Sequence, residues 1–359
     1  MAHLIAAQRT AVVPRGGAFA RLSLEQLGAP VLLACLQAAG INSAAVDEVI
    51  VSNALGAGGN PARRVALAAG LPERVAGLTI DRQCAGGLDA ILLARALVDS
   101  GAAEIVLAGG IESYSRRPLR LATDPDGGPS VSYDEAPFTP WPDRNPGMAD
   151  AAEALAQRLG ISRVDQEAWA VESHRKALFA NHHAEITVLN VQARDAFART
   201  LTPAVCARAP VLSGTISAAT AAVAADAAAF GLVVSDRIAA RAAHSLRIIA
   251  GATLGADPME PGLAPLAAIR QVWDGSPLAM AEVMEAYAVQ AMALVAAAGI
   301  DPMIVNLGGG SLARGHPIGA SGAILAVRLF HDLRHGRGLA AIAAAGGLGT
   351  ALLAEASGA

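Results

Sequence analysis

Strand and helix signals alternate along the first hundred residues, and this alternation restricts the folds that the chain can adopt. Strands that alternate with helices predict a layered α/β fold with a parallel or mixed sheet. Hydrophobic residues make up 53% of the chain and aromatic residues only 3%, so we expect a core of closely packed small side chains. The predicted helices are Leu24–Ala39, Pro61–Ala69 and Leu88–Val98, and the predicted strands are Val46–Ser52, Leu78–Ile80 and Ile105–Ala108.

The two ends of the chain share a weak internal similarity. Gly322–Val327 is similar to Gly87–Leu92, and each stretch begins a helix that is followed by an apolar strand and a Gly-Gly pair. We therefore predict two similarly folded halves, in which His316 stands near the position that Cys84 holds in the first half. A pseudo-twofold arrangement of the halves can bring these two helix starts together.

An irregular segment interrupts the regular pattern. Residues 116–147 are rich in Pro, Asp, Gly and Ser, which is typical of a functional loop or lid, and two helical patterns follow at Ala149–Leu159 and Arg163–Phe179. We predict an N-terminal half formed by residues 1–115 and 224–244, an inserted loop domain at residues 116–223 and a C-terminal half at residues 245–359.

Cys84 lies between a predicted short strand and a long apolar helix. The partial positive charge at a helix N-terminus favours the thiolate form, so this residue is a candidate nucleophile. The alternative interpretation is that Cys84 is a buried apolar residue of the core without a chemical role. A nucleophilic cysteine needs a base or a cation beside it, and His316, flanked by glycines and followed by Pro317, is the best candidate.

Charge and composition argue against several other classes of function. The net charge of −4 and the lack of a basic cluster predict no binding to nucleic acid or to an anionic membrane. The alanine-rich run Ala218–Val234 contains Asp226, so we expect a buried core segment rather than a membrane span. Three cysteines form no disulfide framework and no secretory signal is evident, which predicts a soluble, cytoplasmic protein.

The sequence offers little support for a metal or dinucleotide site. No pair of histidines has the spacing and carboxylate partner of a metal site, so we expect no bound metal. The pattern in Gly308–Ala313 resembles a dinucleotide motif, but Gly315 and Pro317 interrupt the helix that should follow it. Four other histidines are predicted to face solvent, with the last two on a late helix: His182, His183, His331 and His335.

Several motifs, in the right order, give the chain a resemblance to the thiolase family of acyl-CoA acyltransferases. The resemblance covers nearly the whole chain and implies a five-layer α-β-α-β-α fold with two similar halves and an inserted loop domain. It also implies acyl-CoA as a substrate, no permanently bound cofactor and a homodimer, and it leaves a tetramer open. The motifs are Gly56–Gly70, Gln83–Leu88, Ala108–Ser115, Met284–Ala288, Gly315–Gly322 and Gly338–Gly349.

The resemblance also implies a role for individual residues. Cys84 would take the acyl group as a thioester, and His316 would activate the thiol. Backbone N–H groups of Cys84 and Ala345 would form the oxyanion hole, where Ala345 replaces a glycine of the family. The coenzyme A contacts implied by the resemblance are Met148, Ser217, Ala218, Ala286 and Tyr287.

Three departures from the family pattern affect the expected chemistry. Ala343 stands where the family has a second, acid/base cysteine, and Met284 stands where it has an asparagine or histidine that holds a catalytic water. Ala222 replaces a serine that contacts coenzyme A. The groups needed to form an acyl-enzyme are therefore retained, whereas those needed for carbon–carbon bond formation are absent.

Two other functions are left open by the sequence. The chain could be a binding or scaffold subunit that kept the fold without catalysis, although Cys84 and His316 are both retained. It could also be a ketosynthase-like enzyme, but that reading calls for a His–Asn pair, and Met284 supplies no asparagine.

Overall fold

A computed structural model describes residues 1–56 and 58–356. Residue 57, in the predicted Gly56–Gly70 motif, and residues 357–359, at the end of the predicted C-terminal half, lie outside the described residues. The strands are β1 (Ala2–Arg9), β2 (Val13–Pro14), β3 (Glu48–Ser52), β4 (Ala76–Ile80), β5 (Ile105–Glu112), β6 (Arg120–Ala122), β7 (Val131–Tyr133), β8 (Val211–Ser213), β9 (Ile216–Ser217), β10 (Ala225–Ser235), β11 (Leu246–Gly255), β12 (Met280–Val283), β13 (Arg337–Ala344) and β14 (Leu348–Ala356).

The helices confirm the predicted alternation of strands and helices. The two longest helical predictions, at Leu24–Ala39 and Arg163–Phe179, agree with the structure at both ends, and a serine caps the N-terminus of each helix in a capping box. The helices are α1 (Leu24–Ala39), α2 (Pro61–Ala68), α3 (Gly86–Asp99), α4 (Met148–Leu159), α5 (Arg163–Phe179), α6 (Pro203–Ala207), α7 (Asp236–Ala239), α8 (Pro265–Val272), α9 (Ala288–Ala298), α10 (Ser311–Arg314) and α11 (Ile318–Asp332).

The main sheet contains the same strand arrangement twice. In the first half, β1 pairs with β10, β10 lies antiparallel to β5, and β5 lies parallel to β3. In the second half, β11 pairs with β14, β14 lies antiparallel to β13, and β13 lies parallel to β12. The halves meet between β1 and β11, where only His3 and Leu4 pair with Arg247 and Leu246.

Three hydrophobic cores separate the layers. The central core contains α3 and α11, which pack between the two halves of the sheet. A second core lies under α1 and α2 on the outer side of the first half, and a third lies under α8 and α9 on the outer side of the second half. The predicted α/β class and its succession of helical and sheet layers are confirmed.

The chain between β5 and β10 forms a separate set of elements. It contains α4, α5, α6 and the two small hairpins β6–β7 and β8–β9. The predicted domain limits at residues 115/116, 223/224 and 244/245 stay predictions. Strand β10, which includes most of the alanine-rich run, is buried along almost its whole length. Among the described residues, no helix is both long enough and apolar enough to cross a membrane.

Two glycine pairs that we treated as equivalent have different roles. Gly346 and Gly347 have positive φ angles and form the turn between β13 and β14, as a strand-ending pair should. Gly109 and Gly110 instead lie inside β5, so the predicted end of this strand at Ala108 is wrong. A Cβ atom on Gly110 would lie 1.9 Å from the carbonyl oxygen of Gly319, so only glycine lets α11 approach the strand this closely.

Helices α3 and α11 make direct main-chain contact through glycine. A Cβ atom on Gly87 would lie 2.6 Å from the backbone nitrogen of Ala323, and one on Gly322 would lie 2.5 Å from that of Leu88. Because Gly87 is the second residue of α3 and Gly322 the fifth residue of α11, the contact brings the starts of the two helices together. Cys84 lies two residues before the start of α3, and His316 lies two residues before the start of α11.

The prediction that the other histidines face solvent is wrong for two of them. The imidazole of His182 is hydrogen-bonded to the Arg328 guanidinium at 2.7 Å, and the His331 imidazole to the backbone carbonyl of Ala7 at 2.8 Å. His335 is exposed, as predicted, but it follows the end of α11 instead of lying on the helix.

Candidate active site

The backbone around Cys84 is held in an unusual turn. Cys84 is the middle residue of the short 3-10 helix Gln83–Ala85, which leads directly into α3. Gln83 has a φ of 49°, a left-handed conformation that costs energy for a residue other than glycine. The Asp81 carboxylate accepts a hydrogen bond from the Gln83 backbone N–H at 2.8 Å and so supports the turn.

The structure brings Cys84 and His316 into contact. The Cys84 Sγ lies 3.0 Å from the His316 Nε2. The backbone N–H of His316 donates to the Val223 carbonyl at 2.7 Å, which ties the histidine to the chain just before β10. Gly315, with a φ of 114°, makes the bend that directs His316 toward the thiol.

The hydrogen bonds of Ser321 determine which nitrogen of His316 carries the proton. The Ser321 hydroxyl donates to the Pro317 carbonyl at 3.1 Å, so at its 2.6 Å contact with His316 Nδ1 it acts as the acceptor. The proton of the neutral ring therefore resides on Nδ1. Nε2 is left with a free lone pair facing the Cys84 thiol, which is the arrangement that a general base requires.

Both members of this pair are neutral at rest. Burial raises the pKa of the Cys84 thiol to about 12, and burial lowers the pKa of the His316 imidazole to about 4. Nearby backbone N–H groups lower the thiol pKa, as predicted for a helix N-terminus, but loss of hydration raises it by more. A proton must leave Cys84 as it attacks, and His316 is placed to accept it.

Two backbone N–H groups point toward the sulfur. They belong to Cys84 itself and to Ala345, and each hydrogen bond lowers the thiol pKa by less than burial raises it. Ala345 lies in the turn between β13 and β14, opposite the start of α3. Backbone donors in this position can stabilise negative charge that develops on an oxygen bonded to a carbon at Sγ.

The pair lies at a cavity of about 270 Å³. Cys84, His316 and Ala345 line it together with three of the predicted coenzyme contacts, Met148, Ala286 and Tyr287. The other two predicted contacts do not line this cavity. Ser217 is fully buried and accepts a hydrogen bond from the Ala219 backbone N–H, and Ala218 is exposed.

The sequence and fold were compared with those of known proteins. The family model "Thiolase, N-terminal domain" matches residues 2–237, and "Thiolase, C-terminal domain" matches residues 243–356. The chain belongs to the thiolase family. The resemblance inferred from the motifs is therefore confirmed, and the architecture described above is a thiolase fold.

Curated relatives and solved structures cover nearly the whole thiolase chain. The putative acetyl-CoA C-acetyltransferase YhfS of Bacillus subtilis is 38% identical over 99% of both chains, and the acetyl-CoA acetyltransferase of Shinella zoogloeoides is 37% identical over 98% of both. The crystal structure of the Bacillus anthracis acetyl-CoA acetyltransferase superposes with a TM-score of 0.91 at 30% identity, covering 99% of this chain and 98% of that one. Acat5 thiolase from Ascaris suum, solved in complex with coenzyme A, gives a TM-score of 0.90 at 28% identity over 99% of both chains.

The residues that depart from the thiolase motifs occupy two different environments. Ala343, at the position of the second cysteine, lines the cavity and presents only a methyl group there. Met284 does not line the cavity. Its side chain is buried, and its sulfur accepts a hydrogen bond from the Ser311 hydroxyl at 3.3 Å. Neither residue offers the cavity a titratable group or a site for an ordered water.

Sequence reasoning missed several residues at this thiolase site. Tyr114, Phe138 and Gln290 all line the cavity. Tyr114 lies two residues after the end of β5 in a recognised motif, and this position near a strand end was a usable signal. Phe138 comes from the irregular segment, where no periodicity indicates which side chains turn inward.

A buried carboxylate supports the turn that carries His316. Glu112 accepts hydrogen bonds from the Gly319 backbone N–H at 2.9 Å and the Asn53 side-chain amide at 2.7 Å. Burial raises the pKa of Glu112 to about 7. The carboxylate therefore links the start of α11 to the end of β3, and it is a structural support that the sequence did not reveal.

Proposed function

We propose that this protein is an acyl-CoA acyltransferase that carries the acyl group as a thioester on Cys84. The observation on which this rests is the 3.0 Å contact between Cys84 Sγ and the unprotonated Nε2 of His316 at the wall of a cavity. The thiolase relatives named as acetyl-CoA acetyltransferases, and the neighbour solved with coenzyme A, support acyl-CoA as the donor.

The first half of the reaction follows from the geometry. Cys84 Sγ attacks the thioester carbonyl while its proton moves to His316 Nε2. The carbonyl oxygen becomes negative and accepts hydrogen bonds from the N–H groups of Cys84 and Ala345. The tetrahedral intermediate then expels the coenzyme A sulfur, which takes the proton back from His316, and the acyl group remains on Cys84.

The second half depends on the acceptor. A thiol, hydroxyl, amine or water needs only one base, and His316 is free again once coenzyme A has left. A carbon acceptor must also lose a proton from its α-carbon, and Ala343 has no group that can remove it. Losing a general base costs a rate factor of about 10²–10⁴. We therefore propose that condensation and thiolysis are weakened relative to acyl transfer to a heteroatom.

Intact-protein mass spectrometry tests acyl-enzyme formation. The protein is incubated with a series of short acyl-CoAs, and we expect a mass increase equal to one acyl group on the wild type and none on Cys84→Ala. Cys206→Ala is the matched control, because Cys206 is a free thiol outside the cavity and its loss should leave acylation intact. No adduct with any acyl-CoA would refute the proposal and favour a binding or scaffold role.

A second experiment tests whether the absence of the acid/base cysteine at position 343 slows thiolysis. Restoring the family residues with Ala343→Cys and Met284→Asn should raise the rate of thiolysis of acetoacetyl-CoA by about 10²-fold or more. Equal rates for the wild type and the double variant would show that the α-carbon of the departing acetyl-CoA receives its proton by another route.

We also propose that the protein is a cytoplasmic homodimer. Three free thiols, at Cys35, Cys84 and Cys206, suit a reducing compartment. Strand β4 pairs only with β3 in the described sheet, and its Leu78 side chain is 45% exposed, which leaves an edge for a second copy. Light scattering coupled to size-exclusion chromatography should give twice the chain mass, and a monomer would contradict the assembly.

A further inference from the structure

Three polar side chains in the wall of the cavity each carry a donor group that has no hydrogen-bond partner among the described residues. Gln290 is only 3% exposed, and its Nε2 meets no acceptor. The phenol hydroxyls of Tyr114 and Tyr287 make no hydrogen bond to any residue between 1–56 or 58–356. A buried amide normally finds a partner, so the unpaired Gln290 donor indicates that a ligand supplies the acceptor, and the partly exposed phenols of Tyr114 and Tyr287 line the same cavity.

The orientation of the Gln290 amide is fixed by its neighbour. Its Oε1 accepts a hydrogen bond from the Ala286 backbone N–H at 3.2 Å, so the other end of the amide must be the NH₂ group. Tyr287 is the N-cap residue of α9 and Gln290 lies three positions later in its first turn, and both side chains line the cavity. Tyr287 also brings a hydroxyl to a position where the thiolase motif has phenylalanine.

The position of the two tyrosines places them beside the acyl-carrying sulfur instead of the distant part of coenzyme A, and Gln290 lines the same cavity. Tyr114 and Tyr287 both lie near enough to Cys84 for a charge on its sulfur to raise their pKa values. Burial makes the largest contribution to both shifts and raises the pKa of Tyr287 to about 12, so the phenols stay protonated at neutral pH. They can therefore donate hydrogen bonds close to the acyl-carrying sulfur.

The charge of the cavity wall restricts what these donors can bind. Glu135 and Glu260 line the cavity, and none of the described residues lining it is an arginine or a lysine. Glu260 is ion-paired with Arg158 at 2.7 Å, so Glu135 is the acidic side chain that would repel a carboxylate on the acyl chain. A neutral oxygen avoids that repulsion and still satisfies the unpaired donors.

We propose that Tyr114, Tyr287 and Gln290 form a polar subsite that binds a neutral carbonyl or hydroxyl oxygen on the acyl chain of the substrate. The inference rests on the proposed acyl-CoA function, since it assigns part of the same cavity. It names the residues that would distinguish an oxygen-bearing acyl chain from a plain one of equal length.

Binding measurements on Cys84→Ala test the subsite without acyl transfer. Acetoacetyl-CoA and butyryl-CoA have the same chain length and differ in one carbonyl oxygen. By isothermal titration calorimetry we expect acetoacetyl-CoA to bind about threefold to tenfold more tightly, the range for one net hydrogen bond. Succinyl-CoA, which carries a carboxylate, should bind more weakly than acetoacetyl-CoA.

Two substitutions in the Cys84→Ala background assign the effect to named residues. Tyr287→Phe removes one hydroxyl, and Gln290→Glu keeps the acceptor for Ala286 while replacing the NH₂ group with an oxygen. Each should weaken acetoacetyl-CoA about threefold to tenfold and leave butyryl-CoA unchanged. Phe138→Leu, an apolar change in the same wall, is the matched control and should affect both ligands equally.

The outcomes separate failure of the subsite from failure of the proposed function. If Tyr287→Phe and Gln290→Glu weaken both acyl-CoAs equally or neither of them, the subsite assignment is overturned while acyl-CoA binding stands. If no acyl-CoA binds to Cys84→Ala, although its thermal unfolding matches that of the wild type, the proposed function itself is refuted.

Discussion

The neutral Cys84–His316 pair predicts an unusual dependence of cysteine reactivity on pH. The perturbation is a change of pH from 6 to 9, and the observable is the alkylation rate of Cys84 by iodoacetamide, which reacts with thiolate. With the pKa of the thiol raised to about 12 by burial, about one molecule in 10⁵ is thiolate at pH 7. This fraction is about a thousandfold below that of an ordinary cysteine.

The thiolate fraction should rise tenfold with each pH unit over this whole range. We therefore expect the logarithm of the alkylation rate to increase linearly with a slope near one and without a plateau. Alkylation is followed by intact mass, with Cys84→Ser to measure background reaction at Cys35 and Cys206, both of which are fully buried. A rate that levels off below pH 8 would show a thiolate–imidazolium pair and refute the neutral resting state.

Three further predictions concern the support of the site and the fold. Ser321→Ala removes the acceptor that keeps the His316 proton on Nδ1. The acylation rate measured by rapid-quench mass spectrometry should therefore fall about tenfold and recover in Ser321→Thr. An unchanged rate in Ser321→Ala would contradict the assigned tautomer. Gly87→Val places a side chain where a Cβ would lie 2.6 Å from the Ala323 nitrogen. Urea denaturation should therefore show that the free energy of unfolding is lower by about 1–3 kcal/mol. A midpoint of urea unfolding equal to that of the wild type would contradict the close helix contact. Burial lowers the pKa of His182 to about 4, so between pH 6.5 and 4 the unfolded chain binds a proton at this histidine and the folded chain does not, and the free energy of unfolding falls as the pH falls through this range. His182→Gln should reduce that fall by about 2–3 kcal/mol. An equal dependence of the unfolding free energy on pH in both proteins would argue against this prediction.

The sequence predicted the parts of the fold that depend on local signals. The N-terminal ends of α1 and α5 follow from their serine caps, and the order of strands and helices follows from apolar periodicity. Gly109 and Gly110 show where such reasoning fails. Glycine commonly ends a strand, but here the close approach of α11 requires it within β5, and that requirement exists only in the folded chain.

The site was predictable where a motif names a residue and less so where solvation decides the chemistry. Cys84 and His316 were located from their motifs, and the structure places them in contact. The protonation state of Cys84 was not predictable, because the cost of removing its sulfur from water depends on residues far away in sequence. Tyr114 and Gln290 were not predictable either, because their unpaired donor groups can be recognised only in the folded chain, where residues distant in sequence form the cavity wall.

The glycine contact between α3 and α11 has a consequence for how this enzyme family can diversify. The spacing of Cys84 and His316 is set by main chain resting on main chain at Gly87 and Gly322, with no variable side chain in between. Residues that shape the substrate, such as Ala343, project from other elements. Substitutions in the cavity can therefore change what is bound or which acceptor reacts while the distance between thiol and base is kept, so specificity can evolve separately from nucleophile activation.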